Sequence, residues 1–259
     1  MKLIIACPIY KRDWILSHWV RCILKQSLNI SNIGFIFEVS PDDKQTVEIL
    51  KAWKRIDKSI PLFEIIERSD IPHFEHQNNG RQWTLSKYQN MINMRNSILA
   101  KVREYQPDYY FSLDSDILIE NPNTIELLIA HINDGADAVS PLMYMTPVGT
   151  AFPSVMSWVD KEYQKAHRKS DYPIGTYFQS DIIMAAKMMS KKTYMSVDYE
   201  FHQQGEDLGW SRNALKKGLQ LYSASYIYAP HIMSQIHLAE YLKTGDTRSS
   251  EKLDNLVKV

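Results

Sequence analysis

Apolar residues recur along this chain in two alternating periods. Lys2 to Ile9 is a Leu- and Ile-rich run that closes around Pro8, the pattern of a buried first strand. From Asp13 to Gln26 the apolar positions Ile15, Trp19, Cys22 and Ile23 fall at helical spacing, which completes one βα unit. Ile33 to Val39 reads as a second strand. Ser40-Pro41-Asp42-Asp43 after it has the form of an N-cap Ser, a first-turn Pro and a carboxylate three residues on, ahead of a helix buried through Val47, Leu50 and Trp53. Pro61 to Ile66 predicts a third strand. A long helix from Thr84 to Glu104 follows, burying Tyr88, Met91, Met94, Ile98 and Val102, and Tyr109 to Leu113 predicts a fourth strand.

Strands alternating with helices predict an α/β fold, a mostly parallel central sheet with helices on both faces and functional groups at the carboxyl ends of the strands. The second half is less regular. A helix near Pro122 and a strand over Ala138 to Met143 precede Thr146 to Ile174, which mixes Pro, Gly, aromatic and charged residues without a period and is expected to form loops or a substrate-facing insertion. Order resumes with Gln179 to Met189, a helix over Leu208 to Lys217 and a strand over Leu219 to Tyr228. Residues 244–259 are polar and read as a loose tail.

The length of 259 residues fits one large domain or two modest ones, and 44% hydrophobic with 23% charged residues is a globular composition. Thirty basic residues balance 30 acidic ones, so no overall charge draws the chain to nucleic acid or anionic membrane. Cys7 and Cys22 supply neither a disulfide framework nor a zinc set. The apolar run Leu3 to Tyr10 is interrupted by Pro8 and followed by Lys11 and Arg12, too short for a membrane span. The expectation is a soluble, cytoplasmic protein without a transmembrane segment.

Three places carry candidate chemistry. Tyr109 to Asp116 is an apolar strand running into Asp114-Ser115-Asp116, two carboxylates one residue apart that point to the same side. Such oxygen ligands suit a hard divalent cation, although a helix cap and a solvated side chain would give the same pattern. Gly205-Glu206-Asp207 opens an amphipathic helix, where acids also complement the helix dipole. His231 follows Pro230 after a strand, with His237 as a rival.

In order and spacing these features resemble the GT-A-fold glycosyltransferases, in particular the inverting type called family 2. Cys7-Pro8-Ile9-Tyr10-Lys11-Arg12 is similar to that family's opening strand and Pro-x-Tyr-Asn-Arg turn, with Lys11 in place of Asn, and Met94-Arg95-Asn96 to its Ala-Arg-Asn stretch. Gly80 to Arg95 is longer than the usual link. The resemblance implies a GT-A, Rossmann-like domain whose residues 1–120 bind a nucleotide-sugar donor and whose residues 121–243 bind an acceptor.

It further implies metal contact by Asp114, Asp116 and His231, and donor contact by Pro8, Tyr10, Arg12, Glu38, Arg95 and Asp114, with UDP-sugars ahead of GDP-sugars. Glu206 and Asp207 hold the acceptor in that family. Asp207 is the candidate base, Glu206 its partner, and Gly218 lies where the family tends to place a glycine. A His among oxygen ligands leans toward Mn²⁺ over Mg²⁺. Arg12 and Arg95 suit phosphate or ion pairing equally, Asp42 and Asp43 suit helix capping better than ribose contact, and Trp210 suits packing better than sugar stacking. The acceptor stays open among a glycan, a lipid-linked glycan, a protein, a small molecule and a modified DNA base. Two other readings compete: a haloacid-dehalogenase-like phosphotransferase, whose motif also starts Asp-x-Asp but wants Thr or Val where Leu118 stands, and a non-catalytic sugar-nucleotide or glycan-binding module.

Overall fold

Alternation of faces within the almost wholly buried β1 (Leu3–Ile9) sets the architecture. Leu3, Ile5, Cys7 and Ile9 enter one apolar core, while Ile4 and Ala6 enter a second on the opposite face. The computed structural model describes residues 1–68, 84–145, 152–169 and 171–244. Four strands form a parallel block: β1 lies between β2 (Ile33–Val39) and β4 (Tyr109–Leu113), and β3 (Phe63–Glu67) pairs outside β2. Helices α1 (Asp13–Leu24) and α2 (Lys44–Ile56) cover the first face, and α3 (Leu85–Tyr105) covers the second. On the first face Trp53 packs 4.7 Å from Phe35 and 5.1 Å from Phe63 between ring centroids.

The chain then continues through α4 (Thr124–Asn133), β5 (Ala138–Leu142), the short strands β6 (Tyr144–Met145), β7 (Phe152–Pro153), β8 (Met156–Trp158) and β9 (Ala166–Arg168), and β10 (Tyr177–Gln179). It closes with β11 (Ala186–Ser190), α5 (Lys191–Ser196), α6 (Glu206–Lys216), β12 (Leu221–Tyr228) and α7 (Gln235–Thr244). The eight-stranded sheet runs β10-β12-β5-β11-β4-β1-β2-β3. Two strands depart from the parallel pattern: β11 is antiparallel to β4 on one side and to β5 on the other, and β10 is antiparallel to β12 at the edge. The α/β fold with helices on both faces is the one expected from the sequence.

Several details differ. The N-cap of α2 is Asp43, whose side chain accepts from the Thr46 N–H, and the Ser40 hydroxyl instead donates to Asp42, so the helix starts after the predicted Ser40 cap. Thr84 does cap α3, accepting from the Lys87 N–H. Within α3, Ile92, Arg95 and Leu99 are buried, whereas Tyr88 and Met91 are half-buried. The aperiodic stretch after residue 146 contains β7, β8 and β9 among its described residues, with β8 and β9 paired as a small antiparallel sheet. The beginning of the Gly80 to Arg95 link and the tail beyond residue 244 lie outside the described residues. No helix among the described residues is long and apolar enough to cross a membrane.

Candidate active site

The acidic motif sits at the carboxyl end of β4, where the sheet stops and backbone groups must find new partners. The Asp114 N–H donates to the Ala185 carbonyl and the Asp114 carbonyl accepts from Trp19 Nε1, which fixes the turn. Residues 116–118 then run beside 230–232. The Ile232 N–H donates to the Asp116 carbonyl, the Leu118 N–H to the Pro230 carbonyl, and Ile117 bridges His231. This short ladder brings His231 to Asp116 from 115 positions away in the sequence. His231 Nε2 lies 3.4 Å from Asp116 Oδ1, and Arg12 holds the other oxygen at 3.0 Å. His237 is elsewhere engaged, its Nδ1 accepting from the Met233 N–H.

Burial would raise the Asp116 carboxyl, but Arg12 and His231 outweigh it and hold the group well below the usual carboxylate range. Burial lowers the His231 imidazole, and Asp116 more than reverses that shift. Beside Arg12 a cleft of about 360 Å³ opens between the start of α1 and Met233 to Gln235. Tyr10 and Pro8, half-buried, precede that turn.

Asp114 is more open, with 24% of its side chain exposed. Both of its oxygens accept from Arg95 Nη2, at 2.9 and 3.0 Å. The same buried guanidinium donates from Nε to Glu206 at 3.3 Å and from Nη1 to Ser112 at 3.3 Å. Arg95 thus joins the Asp-x-Asp motif to the carboxylate pair of α6. That helix begins at Gly205, whose φ of 133° with extended ψ belongs to glycine alone, so the chain can turn sharply and present Glu206 and Asp207 in the first turn.

Asp207 pairs with Lys187 Nζ through Oδ1 and accepts the Ala185 N–H through Oδ2. Burial pushes the Asp207 carboxyl up, and Lys187 and Arg95 pull it further down. Glu206 is raised by burial and by Asp207.

Two predicted donor contacts are engaged within the chain: Glu38 is wholly buried and paired with Arg68 at 3.3 Å, and Arg95, for which ion pairing and phosphate contact were equal expectations, pairs with Asp114, Ser112 and Glu206. Trp210 is fully buried, which removes it from sugar stacking. Lys187 was not foreseen. Its signal was a single charge inside the apolar run Met184-Ala185-Ala186-Lys187-Met188-Met189.

Among the described residues no three His, Cys, Asp or Glu side chains are gathered as a ready cation site. Asp114 is turned to Arg95, so the predicted ligand triad is not preassembled. The chemistry of the donors still fits a divalent cation. Two ligands at about 2.1 Å on adjacent octahedral positions lie about 3 Å apart, close to the Asp116–His231 separation.

The Asp207–Lys187 pair has a testable pH dependence. Because the folded carboxyl is depressed, its stabilisation is complete above the unfolded value of about 3.9 and is lost as pH falls through the folded value. Urea denaturation of wild type and Asp207→Asn is expected to show a stability gap that is full above about pH 5 and narrows on acidification. A gap that widens toward acid would contradict the pairing.

A mostly parallel central sheet in which β10 and β11 run antiparallel, with helices on both faces, is the fold of a GT-A-type glycosyltransferase domain. Solved structures share the fold: GalNAc-T7 with UDP, GalNAc and Mn²⁺ superposes with a TM-score of 0.64 at 11% identity, covering 100% of this chain and 53% of that one. The mannosyltransferase PcManGT from Pyrobaculum calidifontis in complex with GDP-Man and Mn²⁺ gives 0.56 at 11% identity, over 93% and 60%. S. aureus TarS 1-349 gives 0.54 at 14%, over 93% and 64%.

The pattern of the glycosyltransferase family 25 N-terminal domain matches residues 2–173, and the chain belongs to that family. The glycosyltransferase class and GT-A fold read from the motifs stand, the family being 25. Membership sets aside the haloacid-dehalogenase-like reading. Among relatives, a glycosyltransferase 25 family member of Aedes aegypti is 25% identical over 130 residues, 50% of this chain and 21% of the relative. Procollagen galactosyltransferase 1-A of Xenopus laevis is 30% identical over 99 residues, 38% and 16%. The chain spans about a fifth or less of the length of these relatives.

Proposed function

We propose that this domain transfers a sugar from a UDP-sugar to an acceptor hydroxyl, with inversion, in a reaction that uses a divalent cation, Mn²⁺ ahead of Mg²⁺. The observation that carries the reading is the convergence of Asp116 and His231 at 3.4 Å beside the more open Asp114, at the strand end of a family 25 fold. Galactose is the first sugar to test, because the Xenopus laevis relative is a procollagen galactosyltransferase. UDP comes from its presence in the GalNAc-T7 and TarS complexes, and Mn²⁺ from the GalNAc-T7 and PcManGT complexes.

Asp116 and His231, with Asp114, would hold the cation, which when bound supplies positive charge to the leaving diphosphate. Arg12 balances Asp116 from the side of the 360 Å³ cleft, where Lys11 adds a second cation. Asp207 takes the proton of the acceptor hydroxyl. A carboxylate has about four acceptor positions, so contacts to Lys187 and the Ala185 N–H leave capacity for the substrate. Glu206, tied to Arg95, orients the acceptor beside it.

The test is UDP release from UDP-galactose with Mn²⁺ and then with chelator, over acceptors comprising glycans, lipid-linked glycans, proteins, small molecules and modified DNA bases. Turnover that needs both cation and acceptor is expected. Tight, cation-dependent UDP-sugar binding without turnover on any acceptor would favour the non-catalytic binding module. Tight GDP binding with none for UDP would reject the uridine assignment.

A further inference from the structure

Lys187 stands in the middle of the central sheet, and no part of its side chain reaches solvent. Its ammonium pairs with Asp207 Oδ1 and lies 5.1 Å from the Tyr199 ring centroid and 5.5 Å from that of Trp210. A Met or Leu there would pack without the desolvation cost of an ammonium, and a buried ion pair adds little net stability over such packing. Packing therefore does not call for this charge. It is directed at the first turn of α6, where the candidate base resides.

The terminal torsion of an aspartate is broad and two-fold, so one contact leaves the plane of the carboxylate free to swing. Here two contacts act on opposite oxygens, and both come from one stretch of chain: Lys187 on Oδ1 and the Ala185 N–H, at 2.9 Å, on Oδ2. The carboxylate is fixed to β11 as a plane. Displacements of about an ångström in a reacting group are enough to cost on the order of 10²-fold in rate.

We propose that Lys187 is a positioning residue for the transfer, locking the Asp207 carboxylate in plane and in its ionised form so that it takes the acceptor proton. This rests on the reading of Asp207 as base. The charged and titratable groups facing Asp207 are Lys187 of β11, Arg95 of α3, Asp114 beyond β4, Glu206 of α6 and Tyr199 ahead of α6. Of these, Lys187 is the one hydrogen-bonded to it.

The experiment compares wild type, Lys187→Gln, Lys187→Arg and Asp207→Glu with UDP-galactose, Mn²⁺ and the acceptor that supports wild-type turnover. It reads kcat, donor KM, UDP affinity, the acid limb of the kcat–pH profile and the thermal midpoint. Lys187→Gln is expected to lose about 10²-fold in kcat with UDP affinity within about twofold, and to shift the acid limb to higher pH because a positive charge beside the base is gone. Lys187→Arg keeps the charge and is expected to keep the wild-type limb. A folded Gln variant with wild-type kcat and limb overturns the proposal.

Where the Gln variant does not fold, Asp207→Glu decides. It keeps the ion pair but displaces the carboxylate by one methylene, and kcat is expected to fall with the midpoint near wild type, whereas wild-type kcat overturns the proposal. A wild type without turnover overturns the transferase reading and this proposal with it. A wild type that turns over and is matched by the Gln variant overturns this proposal alone.

Discussion

Asp116→Asn is expected to lower kcat/KM for the donor by on the order of 10²–10³-fold, the loss typical of removing one group that stabilises developing charge. The amide keeps the size of the side chain but removes the negative charge that Arg12 and His231 both face, at 3.0 and 3.4 Å. Two cations are then left opposing each other in a buried site, and a divalent ion loses an anionic oxygen ligand. Donor and cation affinities should fall together, and the thermal midpoint should drop because Arg12 keeps only 7% of its side chain in water. Calorimetry of UDP binding with Mn²⁺, well below the midpoint, separates the two effects. Wild-type cation-dependent turnover in this variant would remove Asp116 from the site.

Gly209→Ala is expected to destabilise the fold by about 3 kcal/mol or more, as overpacking does where backbone cannot yield. In an ordinary helix interior the change would stabilise by about 0.5–1 kcal/mol. The sign reverses because α6 presses on residues 200–201. A Cβ on Gly209 would lie 1.9 Å from the Glu200 carbonyl oxygen and 2.8 Å from its carbon. The obstacle is main chain, so no rotamer relieves it, and α6 must lift off. Since Glu206 and Asp207 ride on that helix, activity should fall with stability. Urea denaturation checks the first effect, and a variant as stable as wild type would show that α6 does not pack this closely.

The parallel half of the fold was legible because β1, β2 and β4 are apolar runs whose alternation feeds two cores, and α3 is long enough to display its period. The six-residue α5 is too short for a period, and β7, β8 and β9 are shorter still. Asp43 displaced Ser40 as the cap of α2 because both residue types serve there, and backbone geometry chooses between them.

Asp114, Asp116 and His231 were singled out through a motif order, and the fold brings Asp116 and His231 together. The ion-pair partners of Glu38 and Arg95, Arg68 and Glu206, were not legible because they are distant in sequence. Lys187 breaks an apolar run without belonging to any motif. A period counts such a residue as an interruption, and only the fold shows that Asp207 is waiting for it.

The reversed strand β11 also decides how much of the chain must be present before the sheet can close. The family pattern ends at residue 173, before β11, yet β11 covers the edge of β4 from Tyr109 to Leu113. A chain ending there, as during synthesis or in a truncation, presents that apolar strand with its ladder unmade, open to pairing with another copy. Closure waits on a partner some 75 residues downstream, a slow, non-local step in assembly. A fragment trimmed to the recognisable boundary is therefore expected to aggregate, whereas one carried through β12 is expected to stay in solution, with light scattering on the two as the measure.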